Sequence, residues 1–329
     1  MRPPDFWTRT DFVSQLVGLV LTPFGWLYGW SVQYRAEHTE TYRSRAKVIC
    51  VGNLTAGGTG KTPIAIAIGR ALLARGAKAC FLTRGYGGNV RGPAFVTADD
   101  RATHVGDEPL LLASVAPVVV AADRAAGAKL AEEHGFDTII MDDGHQNFSL
   151  AKDLSLVVVD AETGFGNQRV LPAGPLREPI AQGMKRADAV IINGDGAMPL
   201  PGFKGPLLRC HLVQSGDTDL RGRRVVAFAG IGRPAKFFTS IAALGANIVE
   251  QRAYGDHHIY TQAEIARLKA RARSGNATLV TTEKDYVRLT PAERDGIVPL
   301  PVRSVFDDSA ALERLLDRLN QPALPPAAS

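Results

Sequence analysis

Short apolar runs, most of them closed by glycine, aspartate or asparagine, alternate along this chain with stretches whose apolar positions recur every three or four residues. The runs at 48–51, 79–83, 118–121, 156–160 and 189–193, and one that starts at 138 and ends at Asp142, read as buried strands. The stretches at 64–74, 110–115 and 123–134 read as helices. Such alternation builds a parallel sheet with helices on both faces. Residues 194–206, rich in glycine and proline, read as a linker. A second series then begins, with strands at 225–229 and 278–282, a helix at 235–244, and another opening on the capping-box pattern Thr261-Gln-Ala-Glu264.

Residues 12–34 stand apart. They carry no charge, and Trp26, Tyr28, Trp30 and Tyr34 lie among them. Arg2 and Arg9 precede the stretch, while Arg35, Arg43, Arg45 and Lys47 follow it. The length would span a bilayer, but Pro23, three glycines and several polar side chains dilute it. Aromatic residues beside cations favour a monotopic helix at a membrane interface over a single span. The cations that follow it favour the cytoplasmic side. No small-residue cleavage site follows, which argues against a removed leader.

With 329 residues, two α/β domains are expected. Hydrophobic residues make up 45% and charged residues 22%, as in a soluble globular protein. The net charge of +5 suits an acidic partner without choosing one. Lys and Arg are scattered and no RNA-reading motif is visible, so nucleic acid is not an expected partner. Cys50, Cys80 and Cys210 form no CxxC pair, which removes a zinc site and a disulfide scaffold from consideration.

The candidate chemistry gathers after the first strand. Thr55, Ala56, Gly57, Gly58, Thr59, Gly60, Lys61 and Thr62 form a glycine loop between strand and helix, the context of a P-loop. Thr55 replaces the usual first glycine. In such a loop the backbone N–H groups cradle phosphates, Lys61 reaches the β- and γ-phosphates, and the Thr62 hydroxyl ligates Mg²⁺. An apolar strand ending in Asp142-Asp143 has the form of a Walker-B segment, which holds Mg²⁺ directly or through water. The Arg84-Gly-Tyr-Gly87 loop closes another strand at the end where open α/β sheets bind ligands. Asp107 and Glu108 open a helix, where acidic residues also serve as dipole partners. Asp256-His257-His258 offers a histidine paired to a carboxylate for acid–base work, and lacks nearby ligands for zinc.

Taken together these motifs resemble those of the tetraacyldisaccharide 4'-kinase family. The resemblance rests on Gly52-Asn-Leu-Thr-Ala-Gly-Gly-Thr-Gly-Lys-Thr-Pro63, Arg84-Gly-Tyr-Gly87, Gly106-Asp-Glu-Pro109 and Asp142-Asp-Gly-His-Gln146. It continues through Leu171-Pro-Ala-Gly-Pro-Leu-Arg-Glu-Pro179, Asp256-His-His258 and Thr282-Glu-Lys-Asp285. His145 departs from the family's pattern, which often has an apolar residue there.

The resemblance implies two α/β/α sandwich domains, the first a P-loop sheet, joined by a two-stranded connection. The expected division is an N-terminal membrane-interface helix at 1–35, a kinase domain at 36–205 and a smaller domain with connecting strands at 206–329. It implies transfer of the γ-phosphate of ATP to the 4'-hydroxyl of a lipid A disaccharide 1-phosphate precursor, with Mg²⁺, at the cytoplasmic face of the inner membrane. No obligate protein partner is evident.

Asp107 would be the base, and His257 its partner, with Asp256 or His258 as competing choices. Glu108 joins Thr62, Asp142 and Asp143 as metal candidates, with Glu178 as an outer-shell alternative. Arg84, Tyr86, Gln146, Arg177 and Glu178 are the substrate-side candidates. A membrane-associated ATPase switch, which has no small-molecule acceptor, would share the glycine loop and the apolar helix. It would not need the Arg84 and Arg177 loops or Asp256-His257-His258.

Overall fold

The computed structural model describes residues 4–320 apart from Thr10, Pro201 and Asp217, so Arg2 lies outside the described residues. In chain order the strands are β1 (Lys47–Gly52), β2 (Ala79–Thr83), β3 (Ala94–Phe95), β4 (Val118–Val120), β5 (Thr138–Asp142), β6 (Leu154–Asp160) and β7 (Ala189–Asn193). They continue with β8 (Leu207–Gln214), β9 (Arg224–Ala229), β10 (Asn247–Ala253), β11 (Thr278–Thr282), β12 (Ile297–Leu300) and β13 (Val302–Phe306). Nine form one sheet in the order β13-β8-β7-β6-β1-β5-β2-β4-β3, and four form a second in the order β10-β9-β11-β12.

Both sheets are parallel except for the antiparallel edge pairs β13–β8 and β3–β4. The central strands β5 and β6 are buried along their whole length, which is why they read as unbroken apolar runs. Separate apolar clusters cover the two faces of each sheet, giving two three-layer α/β/α units.

The chain leaves the first unit through β8 and returns through β13, so the two-stranded connection is an extension of the first sheet. The helix Ser309–Asp317 then buries Leu312, Leu315 and Leu316 in the first core. The connecting strands and this last helix, expected within 206–329 beside the smaller domain, thus pack with the first unit. The physical reason is that Leu208 and Cys210 of β8 also point into the first core.

The apolar N-terminal stretch is one helix, Phe12–His38, capped by Asp11, whose carboxylate accepts the Ser14 N–H. Ser14, Gly18, Gly25, Gly29 and Val32 form its buried stripe. That stripe lies against the loop running from Arg169 to Pro179, where a Cβ on Gly25 would come within 2.8 Å of the Val170 carbonyl oxygen. Arg169 donates to the Gly18 carbonyl and the Thr22 hydroxyl, and Gln182 donates to Gln33 at 2.7 Å. The large side chains face outward: Phe12, Leu19, Phe24, Trp26 and Trp30 are all exposed.

Candidate active site

The site lies at the C-terminal ends of β1, β2, β5 and β6, where the chain turns into loops and helix N-termini. The glycine loop ends at the helix Lys61–Ala74, whose N-cap is Gly60 at φ 85°. A Cβ there would meet the Asn193 amide at 2.5 Å, so the position needs glycine on both counts. Side chains brace the loop from below. The Asn53 amide donates to the Thr55 carbonyl at 2.8 Å, and the Asn193 amide donates to the Thr59 carbonyl at 3.0 Å.

Thr62 donates its hydroxyl to Asp142 Oδ2 at 2.9 Å. Asp142 Oδ1 is buried without a hydrogen-bond partner. Burial first, and the nearby charge of Glu108 second, push the Asp142 carboxyl up to about 7. Asp143, held at φ 55°, faces the opposite way electrostatically. Burial alone would raise it, but Lys61 at 3.6 Å and Arg177 at 2.8 Å hold it well below the ordinary carboxylate range. The two adjacent aspartates are therefore driven apart in charge state: burial acts on both, and at Asp143 the cations outweigh it.

The second unit meets this rim. Gly106, at φ 94°, lets the head of the helix Asp107–Ala113 pack under the Tyr86 carbonyl. Asp107 is buried there, and its Oδ2 lies 2.9 Å from His257 Nδ1. Of the three neighbouring candidates only His257 reaches it. His258 pairs with Glu264 at 3.2 Å and stacks on Tyr254, and Asp256 stands 3.8 Å from the far nitrogen of His257. His257 adopts φ 57°, a conformation that non-glycine residues rarely take outside special sites. Burial would raise Asp107, but the hydrogen bond from His257 and the charges of Lys284 and Arg288 outweigh it and hold the carboxylate ionised.

Glu108 pairs with Lys284 at 3.0 Å. Tyr86 is exposed and sets its ring edge-on to His257, with centroids 5.3 Å apart, and Arg84 is exposed on the same loop. Gln146, Arg177 and Glu178 lie on the other side of the aspartates as a bracing chain. Gln146 donates to the Asn53 carbonyl and to Glu178, both at 2.9 Å, and Glu178 also accepts from Arg186 at 2.5 Å. Glu178 is fully buried with both oxygens engaged, so its position is that of a brace rather than a contact for a solvent-borne ligand.

Sequence reasoning passed over three residues here. Arg288 contacts Asp107, Lys284 contacts Glu108, and Arg233 reaches from the second unit to the Gly58 carbonyl at 3.2 Å and to Asp160. Lys284 lies inside Thr282-Glu-Lys-Asp285, but nothing in spacing alone ties it to Asp107-Glu108.

Comparison with known proteins agrees along the whole chain. A model of the family described as tetraacyldisaccharide-1-P 4'-kinase matches residues 17–321. Among curated relatives, the tetraacyldisaccharide 4'-kinase of Paramagnetospirillum magneticum is 49% identical over 97% of this chain and 99% of its own length. That of Rhodospirillum rubrum is 47% identical over 99% of this chain and 100% of its own. A crystal structure of LpxK from Aquifex aeolicus in complex with ATP superposes with a TM-score of 0.76 at 27% identity, covering 92% of this chain and 99% of that one. Matched by the family model over nearly all of its length and 47–49% identical to two curated relatives end to end, this chain belongs to the tetraacyldisaccharide-1-P 4'-kinase family.

Proposed function

We propose that this protein transfers the γ-phosphate of ATP to the 4'-hydroxyl of a tetraacyldisaccharide 1-phosphate, a lipid A precursor. The reading rests on the 2.9 Å contact between Asp107 and His257, which joins the two units at the rim of the glycine loop. A sugar hydroxyl is a poor nucleophile, and phosphoryl transfer is mainly positioning and charge neutralisation. Residues 55–62 cradle the phosphates, and Lys61 takes up charge on the β- and γ-phosphates. Asp107 accepts the proton of the acceptor hydroxyl as its oxygen attacks phosphorus and ADP leaves, and His257 orients that carboxylate. Arg84 and Tyr86, exposed on the same rim, suit an anionic sugar phosphate.

Mg²⁺ fits the residues present. Among the described residues no cluster of three or more His, Cys, Asp or Glu is arranged to hold a metal. Mg²⁺ in phosphoryl-transfer sites needs only one or two protein oxygens, with phosphate and water supplying the rest. The orphaned Asp142 Oδ1 beside the Thr62 hydroxyl offers them, with Asp143 and Glu108 as the further candidates. Bound there, the ion would neutralise charge on the β- and γ-phosphates. Asp142, otherwise costly to ionise in its buried place, would then have a partner.

The helix Phe12–His38 is long and apolar enough to cross a membrane by length and composition. Its small-residue stripe is already used against the body, and a broad apolar face with Trp26, Trp30 and Tyr34 points away from it. That arrangement suits a helix lying in the interface at the cytoplasmic side of the inner membrane, where ATP and the lipid's headgroup are both at hand.

The test uses γ-labelled ATP, Mg²⁺ and tetraacyldisaccharide 1-phosphate in detergent micelles, with wild type beside Asp107→Ala and Lys61→Ala. Label in the lipid from wild type, with both variants failing, is expected. Label found only as free phosphate, whatever lipid is present, would refute the reading in favour of an ATPase switch.

A further inference from the structure

Asp107 is more heavily engaged than a base awaiting its substrate should be. Its Oδ2 accepts from His257 Nδ1 at 2.9 Å, from Arg288 Nε at 2.8 Å and from Arg288 Nη2. Its Oδ1 accepts the Glu108 N–H at 2.8 Å, with the Lys284 ammonium 3.9 Å away. A carboxylate oxygen has about two lone-pair sites, and here three donor atoms crowd Oδ2 while the side chain is 3% exposed. No hydroxyl can reach Oδ2 until one of its donors leaves. His257 is the partner that orients the carboxylate, which makes Arg288 the donor to be exchanged.

Arg288 is itself firmly seated. Its Nη1 donates to the Gly230 carbonyl and to Asp285 Oδ1, both at 2.7 Å. Asp285 is fixed in turn by the Tyr260 hydroxyl at 2.7 Å, the Gly230 N–H at 2.9 Å and the Thr282 hydroxyl at 2.6 Å. The turn that carries the Thr282-Glu-Lys-Asp285 motif is thus a rigid mount on the second unit that presents two cations to the first. Arg288 goes to Asp107 and Lys284 to Glu108.

We propose that Arg288 is a positioning residue that caps Asp107 until the acceptor hydroxyl replaces it, so that the base is withheld from water while ATP is bound alone. The inference rests on the proposed role of Asp107 as base. An arginine suits this task because its planar fork covers one carboxylate oxygen from two nitrogens, where a lysine covers it from one. Exchange of the guanidinium for a hydroxyl also requires the two units to shift against each other. Acceptor binding and exposure of the base then become one event, which is how closing enzymes keep water from reacting in place of substrate.

The experiment compares full-length wild type, Arg288→Gln and Arg288→Lys in detergent micelles. ATP hydrolysis is measured without acceptor, and lipid phosphorylation with it. Arg288→Gln is expected to raise acceptor-free hydrolysis by roughly tenfold or more, a part of the ~10²–10⁴-fold that a positioned base supplies. Arg288→Lys should fall between Arg288→Gln and wild type. A gain in hydrolysis cannot come from simple loss of structure. Acceptor-free hydrolysis in a folded Arg288→Gln at or below the wild-type rate would overturn the proposal. If that variant does not fold, an unchanged hydrolysis rate in Arg288→Lys overturns it instead. Failure of wild type to label the lipid would sink the functional reading separately, since the hydrolysis comparison does not depend on it.

Discussion

His145 makes the stability of the first unit fall on the acid side by an amount that can be worked from its surroundings. The imidazole is fully buried, with Nδ1 3.1 Å from the Ser155 hydroxyl and Nε2 3.0 Å from the Gly183 carbonyl. A carbonyl only accepts, so Nε2 carries the proton and Nδ1 accepts from Ser155. The ring is neutral and satisfied. Burial, joined by the nearby charges of Arg186 and Lys152, drives its pKa from 6.5 down to about 3. In the unfolded chain the same ring titrates near 6.5. Below that value the unfolded state binds a proton that the folded state refuses, so stability drops as pH falls from about 6.5 towards 3.

Between about pH 7 and pH 5 the loss comes to about 2 kcal/mol, or roughly 4–8 °C in Tm for a unit of this size. Thermal unfolding of wild type and His145→Gln at the two pH values isolates the effect, because every other titrating group is common to both. The glutamine variant starts lower at neutral pH, by about 1–3 kcal/mol for its disturbed hydrogen bonds. It should nevertheless lose less stability on acidification, and the gap between the two proteins should narrow by about 2 kcal/mol. Parallel pH dependences, or a gap that widens in acid, would refute the reasoning.

Two other perturbations test the rest of the site. Thr62→Val removes the hydroxyl that Asp142 Oδ2 accepts from, leaving both oxygens of a buried carboxylate unpartnered. Phosphorylation should fall by roughly 10²-fold or more, with a higher Mg²⁺ requirement in a metal titration, and EDTA should abolish it in wild type. Gly25→Val would drive side-chain atoms into the Val170 carbonyl, already 2.8 Å from a Cβ at that position. Overpacking of that kind costs about 1–3 kcal/mol, and protease nicking between the helix and residue 45 should rise while ATP binding to the glycine loop weakens.

Strands buried on both faces were legible because burial leaves no choice of side chain. β1, β2, β5, β6 and β7 are such runs, and the nucleotide loop follows from its glycines and Lys-Thr. β10 was not legible: it is an edge strand, Asn-Ile-Val-Glu-Gln-Arg-Ala, whose exposed half can be charged without penalty. β8 and β13 hid for a related reason: they are the outermost two strands on one side of the first sheet, with partly exposed side chains, and the whole second unit separates them in sequence. At the site, chemistry marked Lys61, Thr62, Asp107 and the aspartate pair, but not orientation. His257 and His258 are adjacent and identical in type, and only the backbone turn at His257 decides which one meets Asp107. Glu178 showed the same gap in reverse, since a carboxylate in a proline-rich loop gives no sign that it faces Arg186 inside the protein.

The loop from Arg169 to Pro179 explains why helix and nucleotide site belong to one device. On one side Val170, Ala173 and Pro179 receive the glycine stripe of the helix Phe12–His38. On the other, the Pro175 carbonyl accepts the Ala56 N–H, the Leu54 carbonyl accepts the Arg177 N–H, both at 2.7 Å, and Thr55 bridges to Leu176. Arg177 extends the same contact to Asp143. A single layer of chain thus separates the apolar helix from the phosphate loop, a distance on the order of the 8–10 Å between packed elements. Lifting an acylated sugar into a remote site would cost about 0.8 kcal/mol for every CH₂ brought into water. On the interfacial reading no lifting is needed. The acyl chains stay beside the outward face of the helix while the headgroup reaches the rim, and binding energy goes into orienting the hydroxyl. The glycines at positions 18, 25 and 29 bring the helix backbone down onto the loop, and on the same reading a larger residue there would hold membrane and phosphate apart.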